Sequence, residues 1–210
     1  MIKKANIPEI TQKHLHGIKN LSIEDINKIL ELSNFFKLKN REKDKNYPIL
    51  KGRTIINLFF EPSTRTLISF EIAAKRLGAD VINMNIEGSS LRKGESLHDT
   101  AQTLGAMNPD LVVIRHGIDN ASKQISEIIN CPVINAGEGI NELPTQALLD
   151  AYTIVDNKRS LKNITVAICG DLEHSRVARS NYYLLKKMES NVRFVYPEFF
   201  KPKDLNRYDV

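Results

Sequence analysis

Residues 54–60 read TIINLFF and residues 61–66 read EPSTRT, and the junction of these two segments decides the fold. The first segment is an apolar run of strand length, which is typical of a strand covered on both faces of a sheet. A helix is predicted over residues 66–77, since one stripe at helical spacing carries Leu67, Phe70, Ala74 and Leu77. The junction is therefore a turn from a buried strand into a helix, as in an α/β protein.

The same alternation continues along the chain. A capped helix is predicted to begin at Ser22, with Asp25 three residues further on. Apolar runs predict further strands over residues 79–86, 110–115, 132–136, 164–169 and 192–196. Helical spacing predicts helices over residues 96–106, 119–129, 144–155 and 176–188. Apolar strands that alternate with amphipathic helices indicate parallel sheets covered on both faces.

We expect two doubly wound parallel-sheet domains, of which the second is incomplete. Residues 1–143 form the first domain in this interpretation, residues 144–158 form a bridging helix, and residues 159–210 supply part of the second domain. Two strands and one helix are too few to cover a doubly wound sheet, and so small a sheet is marginal by itself.

Composition restricts the class of protein. The 210 residues are 41% hydrophobic and 26% charged, and the net charge of +5 is spread along the chain, as in a soluble globular protein. Cys131 and Cys169 adjoin apolar runs and are expected to be buried, reduced thiols rather than zinc ligands. Neither a signal peptide nor a membrane-spanning stretch is evident. We expect a cytoplasmic protein that binds neither nucleic acid nor membrane and holds no metal.

The start of the helix after TIINLFF is a candidate phosphate site. Ligands of open parallel sheets bind at the carboxyl ends of the strands, and the first N–H groups of a helix have no intrahelical partner. Ser63, Thr64 and Thr66 add hydroxyl donors to these N–H groups, and Arg65 adds a planar cation suited to phosphate. The alternative is a structural helix start, in which a hydroxyl caps the helix and Arg65 forms an ion pair.

Other polar groups follow the carboxyl ends of neighbouring strands. They are Lys93 in the Gly- and Ser-rich segment 87–96, Arg115 at the end of the third strand, Gln146 in the bridging helix, and Arg176 after the fifth strand. The fold is expected to bring them together with Arg65. No nucleotide P-loop, dinucleotide fingerprint, paired carboxylates or Ser-His-Asp set accompanies them. A cationic site without an evident nucleophile favours electrostatic catalysis between two anionic substrates.

Five groups of residues resemble, in order, the motifs of the aspartate carbamoyltransferase family. They are FFEPSTRT with SFE, SSLRKGES with DT, VIRH, PTQALLD and GDLEHSRVARSN. The first motif is shared with ornithine carbamoyltransferases, whereas the last is specific to the aspartate enzyme. The resemblance implies transfer of the carbamoyl group of carbamoyl phosphate to the amine of L-aspartate in pyrimidine (UMP) biosynthesis. The products are N-carbamoyl-L-aspartate and phosphate, and the resemblance implies no cofactor.

The resemblance also implies roles for individual residues. Ser63, Thr64, Arg65 and Thr66 would hold the phosphate, Arg115 would bind carbamoyl phosphate beside Thr66, and Gln146 would bind its carbamoyl amine. Arg65, Thr66, Arg115 and Gln146 would form the catalytic set. Arg176 and Lys93 would bind aspartate. Since the family is trimeric with shared sites, Lys93 and either Ser89 or Ser90 would enter a neighbouring subunit's site, with or without a regulatory chain.

Three features depart from the family pattern. Leu143 stands where the family has a histidine, and leucine cannot donate a hydrogen bond to the carbonyl oxygen. Glu142 beside it would repel phosphate if it turned inward. Leu67 stands where an arginine follows STRT, and its place on the apolar stripe indicates a change in packing. The family's later aspartate-binding arginine and its Pro-Leu loop have no counterpart.

Two alternatives therefore remain open. One is a non-catalytic carbamoyl-phosphate binder, as a paralogue or fragment. The other is a carbamoyltransferase with another acceptor such as ornithine, against which Arg176 argues.

Overall fold

The structure, a computed structural model, describes residues 7–85, 96–203 and 208. Four parallel strands form the larger sheet in the order β2-β1-β3-β4, where β1 is Thr54–Phe59, β2 is Asp80–Asn85, β3 is Leu111–His116 and β4 is Val133–Glu138. A second sheet pairs two parallel strands, β5 (Thr165–Cys169) and β6 (Asn191–Val195). The α/β class and the parallel sheets agree with the sequence-based expectation.

The helices also follow the predicted alternation. They are α1 (Ile23–Lys39), α2 (Thr64–Arg76), α3 (Leu97–Ala106), α4 (Ala121–Ser126), α5 (Pro144–Lys158) and α6 (Arg176–Lys187), and a short 3₁₀ turn covers Glu198–Phe200. The Ser22 hydroxyl accepts a hydrogen bond from the Asp25 N–H, so the predicted cap of α1 is confirmed. The helix predicted over residues 119–129 was too long: α4 begins only after Asn120, whose backbone is left-handed, and beyond Ser126 the Ile128 N–H donates to the Ile125 carbonyl in a tighter turn.

Both faces of the larger sheet are covered, as the apolar strands predicted. Alternate residues of β1 point to opposite faces. Ile55 and Phe59 pack with Ala74 of α2, whereas Ile56 and Leu58 belong to a cluster with residues of α3 and α4. This alternation explains why one short strand is apolar on both sides.

Within the described residues, only one face of the smaller sheet is covered. In both strands exposed residues alternate with half-buried ones, and the half-buried Val166, Ile168 and Val192 pack against a cluster that includes residues of α5 and α6. The expectation that residues 164–169 form a fully buried strand is therefore wrong. Cys169 lies on the open face and is exposed, contrary to the prediction, while Cys131 is buried and both cysteines are free.

The strand order creates a crevice at one edge of the larger sheet. The chain passes from β1 to β2 on one side, and β3 then pairs with the other side of β1. At such a switch point the connections diverge, so a cleft opens at the carboxyl ends of the two central strands. Phe59 is in register with Arg115 there, and the Phe60 N–H donates to the Arg115 carbonyl at 2.9 Å. The strand that precedes the predicted phosphate segment and the strand that carries Arg115 therefore end side by side.

Candidate active site

The turn from β1 into α2 leaves the first helical turn open. Ser63 is the N-cap residue, but its side chain does not cap the helix and instead donates to the Thr66 hydroxyl at 2.9 Å. No acidic side chain lies in the first turn. The N–H groups at the start of α2 therefore remain available to an anion, with the positive end of the helix dipole behind them.

Arg65 lies on the solvent side of this turn. Its side chain is exposed, and among the described residues it has no hydrogen-bond or ion-pair partner. Within the described residues, this helix start differs from the alternative interpretation, in which a hydroxyl caps the helix and Arg65 forms a structural ion pair. Leu67 is half-buried and packs against the cluster on the α2 face of the sheet, which confirms its predicted packing role.

Two of the predicted cations meet on one carboxylate. The Glu61 Oε2 atom lies 3.3 Å from Arg115 Nε and 3.1 Å from Arg176 Nη2. Arg115 also donates to the Ala136 carbonyl at 3.1 Å, and Arg176 donates to the Gly139 carbonyl at 3.1 Å. Residues from the β1–α2 turn, the end of β3, the start of α6 and the segment after β4 thus converge on one crevice.

The two guanidinium groups are close enough to influence each other. The exposed fraction of the side chain is 13% for Arg115 and 16% for Arg176, compared with 33% for Glu61. Burial lowers the pKa of Arg115 and the nearby Arg176 lowers it further, whereas Glu61 opposes this shift. Because two partly desolvated cations share one carboxylate, the crevice retains a net positive charge that favours a further anion.

Sequence reasoning missed Glu61 and Gly137 as parts of this site. A Cβ atom on Gly137 would lie 2.8 Å from Arg115 Nη1 and 3.1 Å from Arg176 Nε, so only glycine lets both side chains approach the backbone there. Gly137 also has φ of +111°, which favours glycine. The signals were present in the sequence: Glu61 stands directly beside the predicted phosphate segment, and Gly137 lies in NAGEG at the end of β4.

Gln146 is near the start of α5 but is not joined to the arginines. Its Nε2 atom donates to the Asp150 carboxylate at 2.9 Å along the same helix. Leu143 is the N-cap residue of α5 and supplies no side-chain cap, while its N–H donates to the Ser180 hydroxyl at 2.8 Å. A leucine at this position thus leaves the helix start without a polar side chain from the cap residue.

Glu142 turns away from the candidate phosphate site. Its side chain is buried, and one carboxylate oxygen accepts from the Ile18 N–H at 2.7 Å. Burial raises the pKa of Glu142, and the N–H groups of Ile18 and Lys19 oppose that shift. The repulsion of phosphate that this carboxylate could exert in an inward orientation therefore does not arise here.

The remaining predicted residues lie outside the described part of the chain, and a histidine lies beside one of the arginines. Ser89, Ser90 and Lys93 belong to the segment 86–95, which lies outside the described residues. His116, next to Arg115, packs against Phe60 with ring centroids 4.3 Å apart and ring planes inclined by 50°. Burial lowers the pKa of His116, so this imidazole is neutral near neutral pH and adds no charge to the crevice.

Neither a metal centre nor a membrane span is found in the described parts of the chain. Among residues 7–85, 96–203 and 208, no three His, Cys, Asp or Glu side chains are grouped to hold a metal ion. None of the helices described is both long and apolar enough to cross a membrane.

Fold and crevice together define a parallel α/β protein with a cationic cleft at the switch point of its larger sheet. Residues 13–156 match the family described as aspartate/ornithine carbamoyltransferase, carbamoyl-P binding domain. The chain belongs to this family, and the resemblance stated from the motifs is confirmed.

Individual relatives agree with this assignment. The aspartate carbamoyltransferase catalytic subunit of Pelagibacter ubique is 53% identical over 202 residues, which are 96% of this chain and 64% of that protein. Aspartate transcarbamoylase from Trypanosoma cruzi, crystallised in complex with carbamoyl phosphate, has a TM-score of 0.86 at 34% identity. The match covers 94% of this chain and 62% of the Trypanosoma cruzi chain. Ornithine carbamoyltransferase from Pyrococcus furiosus has a TM-score of 0.85 at 30% identity, over 96% of this chain and 63% of its own. The chain thus spans just under two thirds of the length of these relatives.

Proposed function

We propose that this chain is an aspartate carbamoyltransferase catalytic chain, which transfers the carbamoyl group of carbamoyl phosphate to L-aspartate in pyrimidine biosynthesis. The observation that carries the proposal is the convergence of Arg115 and Arg176 on the Glu61 carboxylate beside the open start of α2. A crevice in which two guanidinium groups already hold one carboxylate has the charge and geometry to hold the anionic groups of both substrates.

Carbamoyl phosphate lies at the start of α2 in this proposal. The N–H groups of the first turn, the hydroxyls of Ser63, Thr64 and Thr66, and the Arg65 guanidinium receive the phosphate oxygens. Arg115 reaches the same molecule from the neighbouring strand. The exposed Arg65, which has no side-chain partner among the described residues, and the uncapped helix start support this role, because neither gives up a described contact to bind the ligand.

Aspartate lies on the α6 side of the crevice. Arg176 exchanges the Glu61 carboxylate for a carboxylate of aspartate, and the side-chain oxygen of Gln146 or a neighbouring backbone oxygen accepts a hydrogen bond from the carbamoyl amine. The aspartate nitrogen then attacks the carbonyl carbon, the bond from that carbon to the phosphate oxygen breaks, and the proton that the nitrogen loses passes to the leaving phosphate. Arg65 and Arg115 stabilise the negative charge that collects on the leaving phosphate.

The proposal includes the domain division and the assembly. Residues 1–143 form the carbamoyl-phosphate domain, 144–158 the bridge, and 159–210 part of the aspartate domain, in a cytoplasmic homotrimer with or without a regulatory chain. Lys93 with Ser89 or Ser90 enters the neighbouring site. Ile68 and Ile72, which are 46% and 43% exposed one turn apart on α2, support an interface beside the phosphate site.

Calorimetry and a product assay test the proposal separately. Titration of the purified chain with carbamoyl phosphate should show saturable binding, and Arg65→Ala should weaken it. Incubation with carbamoyl phosphate and labelled aspartate should yield N-carbamoyl-L-aspartate. Absence of carbamoyl phosphate binding would remove the basis of the proposal, and product from ornithine alone would assign another acceptor.

A second candidate function is a carbamoyl-phosphate binder that does not complete the transfer. Leu143 favours it, because the side chain at the start of α5 has no hydrogen-bond donor for the carbonyl oxygen. Titration with N-(phosphonacetyl)-L-aspartic acid discriminates between the two functions. If carbamoyl phosphate binds but the aspartate half of this compound adds no affinity, the chain is a binder only.

A further inference from the structure

We infer that Asn135 is a positioning residue of the proposed active site, which places Arg115 and Arg176 through the backbone of residues 136 and 137. The inference rests on the proposed function. Asn135 lies in β4, away from the motifs that carry the resemblance, and its side chain is completely buried. A buried amide in an apolar strand is retained only when its hydrogen-bonding groups are satisfied.

The Asn135 amide ties three chain segments together. Its Nδ2 atom donates to the His16 carbonyl at 2.8 Å and to the Glu142 carbonyl at 3.1 Å. Its Oδ1 atom accepts from the Gly137 N–H at 2.7 Å. Both donor hydrogens and the acceptor are therefore used, and the three bonds join the N-terminal segment, the loop before α5 and the end of β4.

The Gly137 bond reaches the arginines through the backbone. The Ala136 carbonyl accepts from Arg115 Nη1 at 3.1 Å, and Gly137 lies directly against both guanidinium groups. Because the Asn135 oxygen holds the Gly137 N–H, the peptide between residues 136 and 137 is held in place. Its carbonyl then points to Arg115, while the open side of Gly137 faces Arg176.

Asn135→Leu tests this role, with Asn57→Leu as the matched control. Leucine has a similar volume but leaves the Gly137 N–H without its partner. Asn57 is also fully buried and lies in β1 of the same sheet, where its side-chain amide donates to Asn83. Both changes lower stability, so carbamoyl phosphate binding is measured by calorimetry at a temperature where each variant is folded. We expect Asn135→Leu to raise Kd by about tenfold, the effect of one hydrogen bond to a charged group, and Asn57→Leu to change it less than about twofold.

The position of Arg115 is read out independently of ligand by the Nε–Hε resonance in the NMR spectrum. This resonance should move in Asn135→Leu and in Gly137→Ala, whose methyl group would press on the guanidinium, but not in Asn57→Leu. The inference would be overturned if Asn135→Leu bound carbamoyl phosphate with the same Kd as the unmodified chain and left the Arg115 resonance unmoved. If the unmodified chain binds no carbamoyl phosphate, the proposed function fails, while the resonance still decides whether Asn135 positions Arg115.

Discussion

Glu61→Gln should weaken the fold and strengthen the binding of external anions. The carboxylate lies within 3.3 Å of Arg115 Nε and 3.1 Å of Arg176 Nη2, so it occupies the position that an anion would take in the proposed function. Glutamine keeps the shape of the side chain but removes the charge. Both guanidinium groups then lose their shared counter-ion and become available to a ligand.

The size of each effect follows from burial. Removal of one partner from a fully buried ion pair costs about 3–5 kcal/mol. Because Glu61 is 33% exposed, solvent screening reduces this figure, and we expect a loss of about 1–2 kcal/mol in the free energy of unfolding. Release of the competing charge should strengthen phosphate binding by a similar free energy, which is roughly tenfold in Kd.

Urea unfolding followed by circular dichroism measures the first effect, and calorimetric titration with inorganic phosphate measures the second. Glu71→Gln is the matched control, because Glu71 is also on this side of the sheet but pairs with Lys75 on the surface of α2. The control should leave the phosphate Kd unchanged. The reasoning is refuted if phosphate binds equally or more weakly to a folded Glu61→Gln variant.

Two further substitutions and one pH dependence have defined expected results. Leu143→His should raise the turnover of carbamoyl phosphate with aspartate by about 10²–10³-fold, because it restores a donor for the carbonyl oxygen; Leu143→Phe should not. Gly17→Ala should lower the free energy of unfolding by about 1–3 kcal/mol, because its methyl group would overlap the buried Glu142 carboxylate. Burial lowers the pKa of His16, so its contribution to stability is present above about pH 6.5 and is lost as the pH falls.

Each of these expectations has a direct measurement. The turnover assay follows labelled N-carbamoyl-L-aspartate, and an unchanged rate in folded Leu143→His would show that the missing donor is not what restricts the reaction. The urea concentration at the midpoint of unfolding tests the loss of stability in Gly17→Ala and the pH dependence assigned to His16. The difference in midpoint between the unmodified chain and His16→Asn should be larger at about pH 7.5 than at about pH 5.5. A difference that grows at the lower pH would contradict the assignment to His16, whose ring nitrogens lie 3.1 Å from the Ser122 hydroxyl and 3.3 Å from the Ser126 hydroxyl.

The sequence predicted most of the fold because its signals are local. Apolar runs, helical stripes and residues such as Ser22 act over a few positions, and each predicted strand and helix was found, with the largest shifts at the ends of α4. The exception was burial in the second sheet. The run over residues 164–169 looks fully apolar, yet its outer face is open in the structure, since burial depends on which elements lie above a strand.

The candidate site was predicted in part. Fold logic brought Arg115 and Arg176 to one crevice, since both follow strand ends at the same side of the fold. It did not predict that Glu61 would join them, that Gln146 would pair with Asp150, or that Glu142 would turn to Ile18. These contacts depend on side-chain directions, for which a linear motif carries little information.

The turn from TIINLFF into a helix that begins within EPSTRT is the feature that the sequence determined by itself. An apolar strand followed by EPSTRT specifies a helix start that carries hydroxyls and an arginine, because these signals are local in the chain. Only the tertiary structure decided which charges meet there. Arg176 is 111 residues from Arg65 in the chain, and it reaches Glu61 because the strand order opens one cleft at the ends of β1 and β3. Electrostatic interactions act through space, so the charge balance of the crevice was settled only by folding.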